Sequence, residues 1–164
     1  TLSTYARRMS LADESSNIDF ILVDSIGFIE DMHPIILNAF NATLSEITNA
    51  DLILLFVDLS DDLGVLNRRV ASTNRILREI DVESEMIVCA NKVDLVDSDH
   101  VGRANEIIRR HMLGVDIVDL SAKTGENLGQ VLDLMRRKIE QLSVQRVSAH
   151  HLASNVDEAV RQPN

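Results

Sequence analysis

The sequence predicts an α/β domain in which a mostly parallel sheet carries helices on both faces. Four short and nearly continuous apolar runs are typical of strands that are buried on both faces. Segments with apolar residues at helical spacing alternate with these runs, which indicates parallel strands joined by right-handed crossovers. Ligands of such folds bind beyond the carboxyl ends of the strands, and this is where Asp24, Asn91 and Ser121 fall.

Length and composition narrow the class of protein. The chain has 164 residues, of which 45% are hydrophobic and 26% charged, as expected for one domain with a real core. Its net charge of −10 excludes nucleic-acid binding through the charge of the chain as a whole. Cys89 is the single cysteine, so no disulfide forms within the chain. No signal peptide or membrane-length apolar stretch is visible, and these features together predict a cytoplasmic protein.

Each apolar run ends at a polar residue. The runs, with the residues that end them, are Ile18 to Val23 with Asp24, Leu52 to Val57 with Asp58, Met86 to Ala90 with Asn91, and Val115 to Leu120 with Ser121. A weaker strand at Arg8 to Leu11 is predicted to pair with the first run as a hairpin through residues 13–17.

Four segments show helical spacing. Their apolar positions include Leu37, Phe40, Leu44 and Ile47 after Pro34; Leu66, Val70, Leu77 and Ile80; Val101, Ala104, Ile107 and Ile108; and Leu128, Val131, Leu132, Met135, Ile139 and Leu142. Asn127 with Gln130 resembles a capping box before the last segment. The domain is therefore predicted to span residues 1–143, with a less patterned tail or linker at 144–164.

Two further features have structural interpretations. Cys89 lies in the middle of a run and is predicted to be a small buried side chain rather than a nucleophile. The cluster Arg136-Arg137-Lys138 is interpreted as a solvated helix face rather than as an RNA contact.

The motif Asn91-Lys92-Val93-Asp94 directly follows the third run. A carboxylate such as that of Asp94 can accept two parallel hydrogen bonds from the ring N–H and the exocyclic amine of guanine, whereas adenine would leave it unpaired. The stem of Lys92 can lie along the base plane, and Asn91 can tie neighbouring loops together. Taken alone, the four residues are also explained as a polar loop after a strand.

A second motif, Ser121-Ala122-Lys123, follows the fourth run and completes the predicted guanine-binding set. The backbone N–H of Ala122 would donate to the guanine carbonyl oxygen. The alternative is a strand-to-helix turn in which Ser121 and Thr124 satisfy backbone groups. The order and distance of this motif after Asp94 favour guanine binding.

A third motif, Asp24-Ser25-Ile26-Gly27, follows the first run. Asp24 would hold Mg²⁺ through water, because magnesium keeps several of its waters in protein sites. Gly27 would let the backbone approach the terminal phosphate of a nucleotide and donate its N–H. The alternative is a turn with glycine at positive φ, but the apolar run before Asp24 favours the functional interpretation.

Three such motifs in this order, each at a strand end, resemble the third, fourth and fifth signatures of the translation-factor class of P-loop GTPases. The resemblance covers roughly Thr1 to Leu142 and implies a three-layer, Ras-like fold. A finer match is to the HflX family of ribosome-associated GTPases. It rests on Thr1-Leu2-Ser3-Thr4-Tyr5-Ala6-Arg7-Arg8, similar to that family's switch I; Asp24-Ser25-Ile26-Gly27-Phe28-Ile29, similar to its switch II; Ala39 to Glu46, similar to the next helix; and Ala50-Asp51-Leu52.

The HflX resemblance implies GTP hydrolysis with Mg²⁺ and binding to the large ribosomal subunit. It makes Thr1 the switch threonine that ligates magnesium in the GTP state. Phe28 occupies the place where many GTPases carry a glutamine that orients the attacking water. Slow intrinsic hydrolysis is therefore expected, and Gly27 and Phe28 in switch II are the catalytic candidates. Alternatively, Phe28 only packs under the switch.

The sequence contains no P-loop motif, Gly-x-x-x-x-Gly-Lys-Ser/Thr, since none of its six glycines is followed by lysine. In the family fold the P-loop follows a mid-sheet strand, so the strands at Ile18 and Leu52 are expected to show unpaired apolar edges. We interpret the sequence as the part of a GTPase domain from switch I onward, or as a chain whose missing unit another chain supplies. A circular permutation is less favoured. The alternative function is a non-catalytic binding or scaffold module.

Overall fold

The computed structural model describes residues 5–12, 17–24 and 41–160, with side chains described at 5–12, 17–24 and 45–145. These ranges contain five strands and four α-helices. In chain order they are β1 (Tyr5–Ala12), β2 (Asn17–Asp24), α1 (Asn41–Thr48), β3 (Leu52–Asp58), α2 (Leu63–Glu79), β4 (Glu85–Asn91), α3 (Ser98–His111), β5 (Asp116–Leu120) and α4 (Leu128–Val160). Pro34, Leu37 and Phe40, predicted to lie on the first helix, fall outside the described residues.

The first two strands form the predicted hairpin. They pair antiparallel from Tyr5 opposite Asp24 to Ala12 opposite Asn17, so β1 begins earlier than the predicted Arg8. Most of the hairpin is exposed, but Leu11 and Phe20 pack against the core. Because these two side chains are anchored, the hairpin lies against the rest of the domain.

The central sheet is parallel, in the order β3-β4-β5. Asp58 of β3 lies opposite Asn91 of β4, and Asn91 lies opposite Leu120 of β5. The carboxyl ends of the three strands are therefore level. The register brings the polar residues that follow them to one edge of the sheet, as the fold class predicts.

Two apolar clusters lie on opposite faces of this sheet. One includes Val88 and Ala90 of β4 with residues of α2 and α3, and the other includes Ile87 and Cys89 with residues of α4. All four of these β4 residues are fully buried. A helix layer, the sheet and a second helix layer are thus present, which confirms the predicted three-layer α/β class. Burial also raises the pKa of the Cys89 thiol to about 11, which favours the structural role over a nucleophilic one.

An apolar groove of about 1400 Å³ separates the hairpin from the sheet. Among the described strands, β2 pairs only with β1, and β3 pairs only with β4. The walls of the groove come from both edges and from the flanking helices, and they include Ile21, Leu55, Val70, Met135 and Ile139. Unpaired edges at β2 and β3 are what the absence of a P-loop strand from the sequence predicts.

The helix α4 is longer than its apolar spacing predicts, and its first turn differs from the prediction. It continues from Leu128 to Val160 and so crosses the predicted boundary between 143 and 144 without a break. The capping box at its start is not formed, because the side-chain oxygen of Asn127 accepts from the Gln130 side chain at 2.9 Å rather than from a backbone N–H.

No helix in the described ranges has the length and apolar character needed to cross a membrane.

The charged cluster Arg136-Arg137-Lys138 on α4 also differs from the prediction, because two of its residues bind other elements. Arg136 donates from Nη2 to the carbonyl oxygen of Leu11 at 2.9 Å and so joins the helix to β1. Lys138, with 13% of its side chain exposed, pairs at 2.8 Å with both Glu85 and Asp116. The prediction of a solvated face is wrong for these two residues.

Candidate functional site

The loop after β4 has an unusual backbone conformation. Lys92 adopts φ 72° and ψ 34°, in the left-handed region, before a short 3-10 turn at Val93–Leu95. Holding a non-glycine residue there costs on the order of 1–3 kcal/mol, and such strain collects at functional sites. The turn leaves the carboxylate of Asp94 exposed at the carboxyl edge of the sheet, where a ligand can reach it.

Asn91 joins this loop to the next one. Its Oδ1 accepts a hydrogen bond from the backbone N–H of Ala122 at 2.9 Å. The two loops that carry the predicted guanine-binding residues are thereby held side by side. The same bond occupies the N–H that was expected to meet the guanine carbonyl oxygen, so a base would have to share or replace it.

The loop after β5 is organised around Ser121, which is fully buried. Its Oγ accepts from the N–H of Thr124 at 3.1 Å, and its carbonyl oxygen accepts from the N–H of Gly125 at 2.9 Å. Gly125 has φ 85°, a conformation that suits glycine. Ser121 and Thr124 therefore do satisfy backbone groups, while Ala122 and Lys123 remain exposed. The structural role and a ligand-binding role coexist in this loop.

A polar network behind this loop was missed by the sequence analysis. The Nδ2 atom of Asn105 on α3 donates to both carboxylate oxygens of Asp119 on β5, at 2.9 and 3.0 Å. The side chain of Asn127 donates to the carbonyl oxygen of Asp119 at 2.7 Å. Asp119 is one of two carboxylates, with Asp116, in the run Val115 to Leu120, and a charge near the end of a largely buried strand was the signal that could have revealed the network.

Asp58, which ends β3, was also missed as a site residue. Its Oδ2 lies 2.5 Å from Nζ of Lys92, and its Oδ1 accepts from the backbone N–H and hydroxyl of Ser60 at 2.9 and 2.6 Å. Burial alone would raise the pKa of Asp58, but the hydrogen bonds from Lys92 and Ser60 outweigh it and lower that pKa. The hydrogen bond to Asp58 raises the pKa of Lys92. The spacing Asp-x-Ser after a strand is the turn signature that could have indicated this arrangement.

The phosphate side of the predicted site is described only at Asp24. This residue ends β2 with an exposed side chain and lines the groove, as Asp58 does across from it. Thr1, Gly27 and Phe28 lie outside the described residues. No group of three or more metal-binding side chains occurs in the described ranges. Magnesium commonly takes one or two carboxylates together with substrate phosphates, so a single accessible carboxylate at Asp24 fits such a site.

Sequence comparison finds relatives over most of the chain. No protein-family model matches it. It is 32% identical over 148 residues to a GTPase HflX of Thermococcus kodakarensis, which covers 87% of this chain and 32% of that protein. It is 33% identical over 140 residues to a GTPase HflX of Magnetococcus marinus, covering 85% and 30%. The chain thus spans about a third of the length of the curated relatives that it matches.

Solved structures show the same fold. The structure described as SsGBP in complex with GDP superposes with a TM-score of 0.64 and 31% identity, over 84% of this chain and 42% of that one. A point variant of SsGBP gives a TM-score of 0.70 with 27% identity, over 84% and 48%. Sequence relatives and structural neighbours agree with each other, and over most of its length the chain is similar to the HflX GTPases.

Proposed function

We propose that this chain supplies the guanine-binding half of a GTP-hydrolysing switch protein. The observation that carries the proposal is the hydrogen bond from the Ala122 N–H to Asn91, which holds the two predicted base-binding loops together at one sheet edge. Asp94 is exposed beside them. The HflX relatives and the GDP complex of a structural neighbour support guanine-nucleotide binding.

Base selection in this proposal depends on Asp94. Its two carboxylate oxygens accept from the ring N–H and the exocyclic amine of guanine, and the backbone N–H of Ala122, which donates to Asn91, is shared with the guanine carbonyl oxygen. Adenine offers no matching pair of donors and would leave a desolvated carboxylate unpaired, which is a strong basis for rejection. Lys92 lies along the base plane, Asn91 and Ser121 hold the two loops in place around it, and the exposed Lys123 completes the nucleotide-binding set.

Phosphate and metal binding fall to the other edge of the groove. Asp24 is the described residue that would hold Mg²⁺, with Thr1 as a second ligand and Gly27 as an N–H donor to the terminal phosphate. Bound magnesium would neutralise charge on the phosphate oxygens. Phe28 carries no group that orients water, so slow hydrolysis that a partner accelerates is the expected behaviour.

The groove between β2 and β3 fits a further strand. Among the described strands neither of its edges pairs with a further strand, and its walls are mainly apolar on both sides of the sheet plane. We propose that a strand followed by a P-loop occupies it in the complete GTPase, because the 164 residues contain no such motif. The alternative, a binding or scaffold module without hydrolysis, is supported by that same absence.

A ribosomal partner and a cytoplasmic location remain part of the proposal through the HflX family. The described surface adds little to either. The chain is acidic overall, and Arg136 and Lys138 of the basic cluster on α4 already bind other parts of the domain. Contact with the large ribosomal subunit would therefore need a local basic patch outside this cluster or another part of the complete protein.

Replacing Asp94 tests the proposal. In the complete protein, Asp94→Asn should weaken GTP binding roughly 10- to 150-fold, since each lost bond to a charged acceptor is worth about 1.5–3 kcal/mol. Affinity for xanthosine triphosphate should rise, because xanthine carries a carbonyl where guanine carries its amine. Competition against a fluorescent guanine nucleotide measures both. The matched control is Asp99→Asn, because Asp99 carries an exposed carboxylate in the first turn of α3. Unchanged GTP selectivity in Asp94→Asn would refute the role of Asp94.

A further inference from the structure

Asp58 is the last residue of β3 and lies at the carboxyl edge of the sheet, where we propose that the nucleotide binds. It is opposite Asn91 in the parallel ladder, and the N–H of the next residue, Leu59, donates to the Asn91 carbonyl oxygen at 2.9 Å. Lys92 follows Asn91 directly. The backbone therefore fixes the distance between the carboxylate of Asp58 and the residue that carries the ammonium group of Lys92.

Both oxygens of the Asp58 carboxylate are engaged. Ser60 donates its N–H and its hydroxyl to Oδ1, and Lys92 lies at 2.5 Å from Oδ2. A carboxylate held by two short-range donors on one oxygen has little freedom to turn. The ammonium group of Lys92 therefore meets an acceptor of fixed direction rather than a mobile surface charge.

We propose that Asp58 is a positioning residue for nucleotide binding, which holds the ammonium group of Lys92 in one place before the base arrives. The proposal rests on the proposed function of the Asn91 to Asp94 loop. A free lysine has many rotamers, and ordering them opposes binding. Holding the side chain in one direction beforehand removes part of that cost, as preorganisation does in other binding sites. Asp58 itself needs no contact with the nucleotide.

Asp58→Asn in the complete protein tests the idea, because asparagine keeps an acceptor for Ser60 and loses the charge. We expect GDP affinity to fall about tenfold, equivalent to about 1.4 kcal/mol. The KM for GTP should rise by a similar factor with kcat nearly unchanged, since the interaction is the same in the ground state and the transition state. A general structural defect would instead lower kcat as well.

A double-mutant cycle identifies the route of the effect. Lys92→Met keeps the stem and removes the ammonium group, so Asp58→Asn should have almost no further effect on GDP affinity in that background. Full additivity of the two substitutions would overturn the proposal. Asp61→Asn is the matched control, because this nearby carboxylate pairs with Arg69 and makes no hydrogen bond to Lys92. An equal loss of affinity in Asp61→Asn would reduce the effect to long-range charge and likewise overturn it.

If Asp58→Asn does not fold, a milder variant tests the same proposal. Ser60→Ala leaves the ion pair and removes one donor that fixes the carboxylate, so GDP affinity should fall about two- to threefold, and unchanged affinity counts against the proposal. The Asp94→Asn experiment distinguishes failure of the proposed nucleotide site from failure of the proposed role of Asp58. Altered base selectivity in Asp94→Asn with normal GDP binding in Asp58→Asn would overturn only the role of Asp58. Unaltered selectivity would remove the proposed site itself.

Discussion

Lys138 joins the amino ends of two strands to a helix, and its replacement by methionine gives a quantitative prediction. Its ammonium group lies 2.8 Å from a carboxylate oxygen of Glu85 on β4 and 2.8 Å from one of Asp116 on β5. Lys138→Met keeps the apolar stem and removes both pairs. The two carboxylates then face each other without the cation between them.

The expected loss of stability follows from exposure. At 2.8 Å the Coulomb attraction of one pair is about 1.5 kcal/mol even at the dielectric constant of water. The partner carboxylates are half-exposed, at 53% and 50%, so desolvation and side-chain ordering reduce each pair to about 0.2–1 kcal/mol. Removing both pairs should therefore lower the free energy of unfolding by about 0.5–2 kcal/mol.

Urea denaturation followed by circular dichroism measures this difference, with Arg137→Met as a control that removes a neighbouring, exposed cation. The difference between the native protein and Lys138→Met should shrink in 1 M salt, where the screening length is about 3 Å. The same difference in stability should also vanish at high pH, where Lys138 loses its charge. Hydrogen bonds to Asp116 and Glu85 raise the folded pKa of Lys138 above its ordinary 10.5, so the contribution is complete below 10.5 and is lost as pH rises through the folded value. Equal stability of the two proteins at low salt and pH 7 would show that the pairs contribute nothing.

Two predictions concern the core. Ile108→Ala should lower the free energy of unfolding by about 2–5 kcal/mol, because Ile108 is fully buried against α2 and β4. The midpoint of urea denaturation measures this loss. Val101→Ala, at a partly buried position of the same helix, should lower the free energy of unfolding by less. Cys89 should resist iodoacetamide at pH 8 in the folded protein and react once urea unfolds it, since burial raises its thiol pKa to about 11. Rapid labelling without denaturant, detected by mass spectrometry, would show that β4 opens readily.

The sequence was sufficient for the parts of the fold that depend on periodicity and on strand ends. Apolar runs located β3, β4 and β5 to within about one residue, and the residue after each run lies at the carboxyl edge of the sheet. The parallel order follows from helices between strands. Asn91 and Ala122 were assigned to one site because the carboxyl ends of parallel strands meet, and the structure places them 2.9 Å apart.

Long-range side-chain pairing was outside the reach of the sequence. The partners of Lys138 are 53 and 22 residues away in sequence, and no local pattern shows that a helix cation meets two strand carboxylates. The pair of Asp58 and Lys92 was missed for a related reason, since it depends on the strand register and on a left-handed residue. The extension of α4 beyond residue 143 was missed because apolar spacing fades there, although no glycine or proline interrupts residues 144–160.

The polar contacts at the two ends of β4 have a consequence for its register. The strand is apolar on both faces, so a shift by one residue would exchange one buried set for another without exposing it. What opposes the shift is Glu85 at one end, bound to Lys138, and Asn91 at the other, bound to Ala122. These contacts are about 20 Å apart along the strand. The ion pairs at the far end of the sheet therefore help to determine which residue of β4 arrives at the carboxyl edge, where we propose that the nucleotide binds.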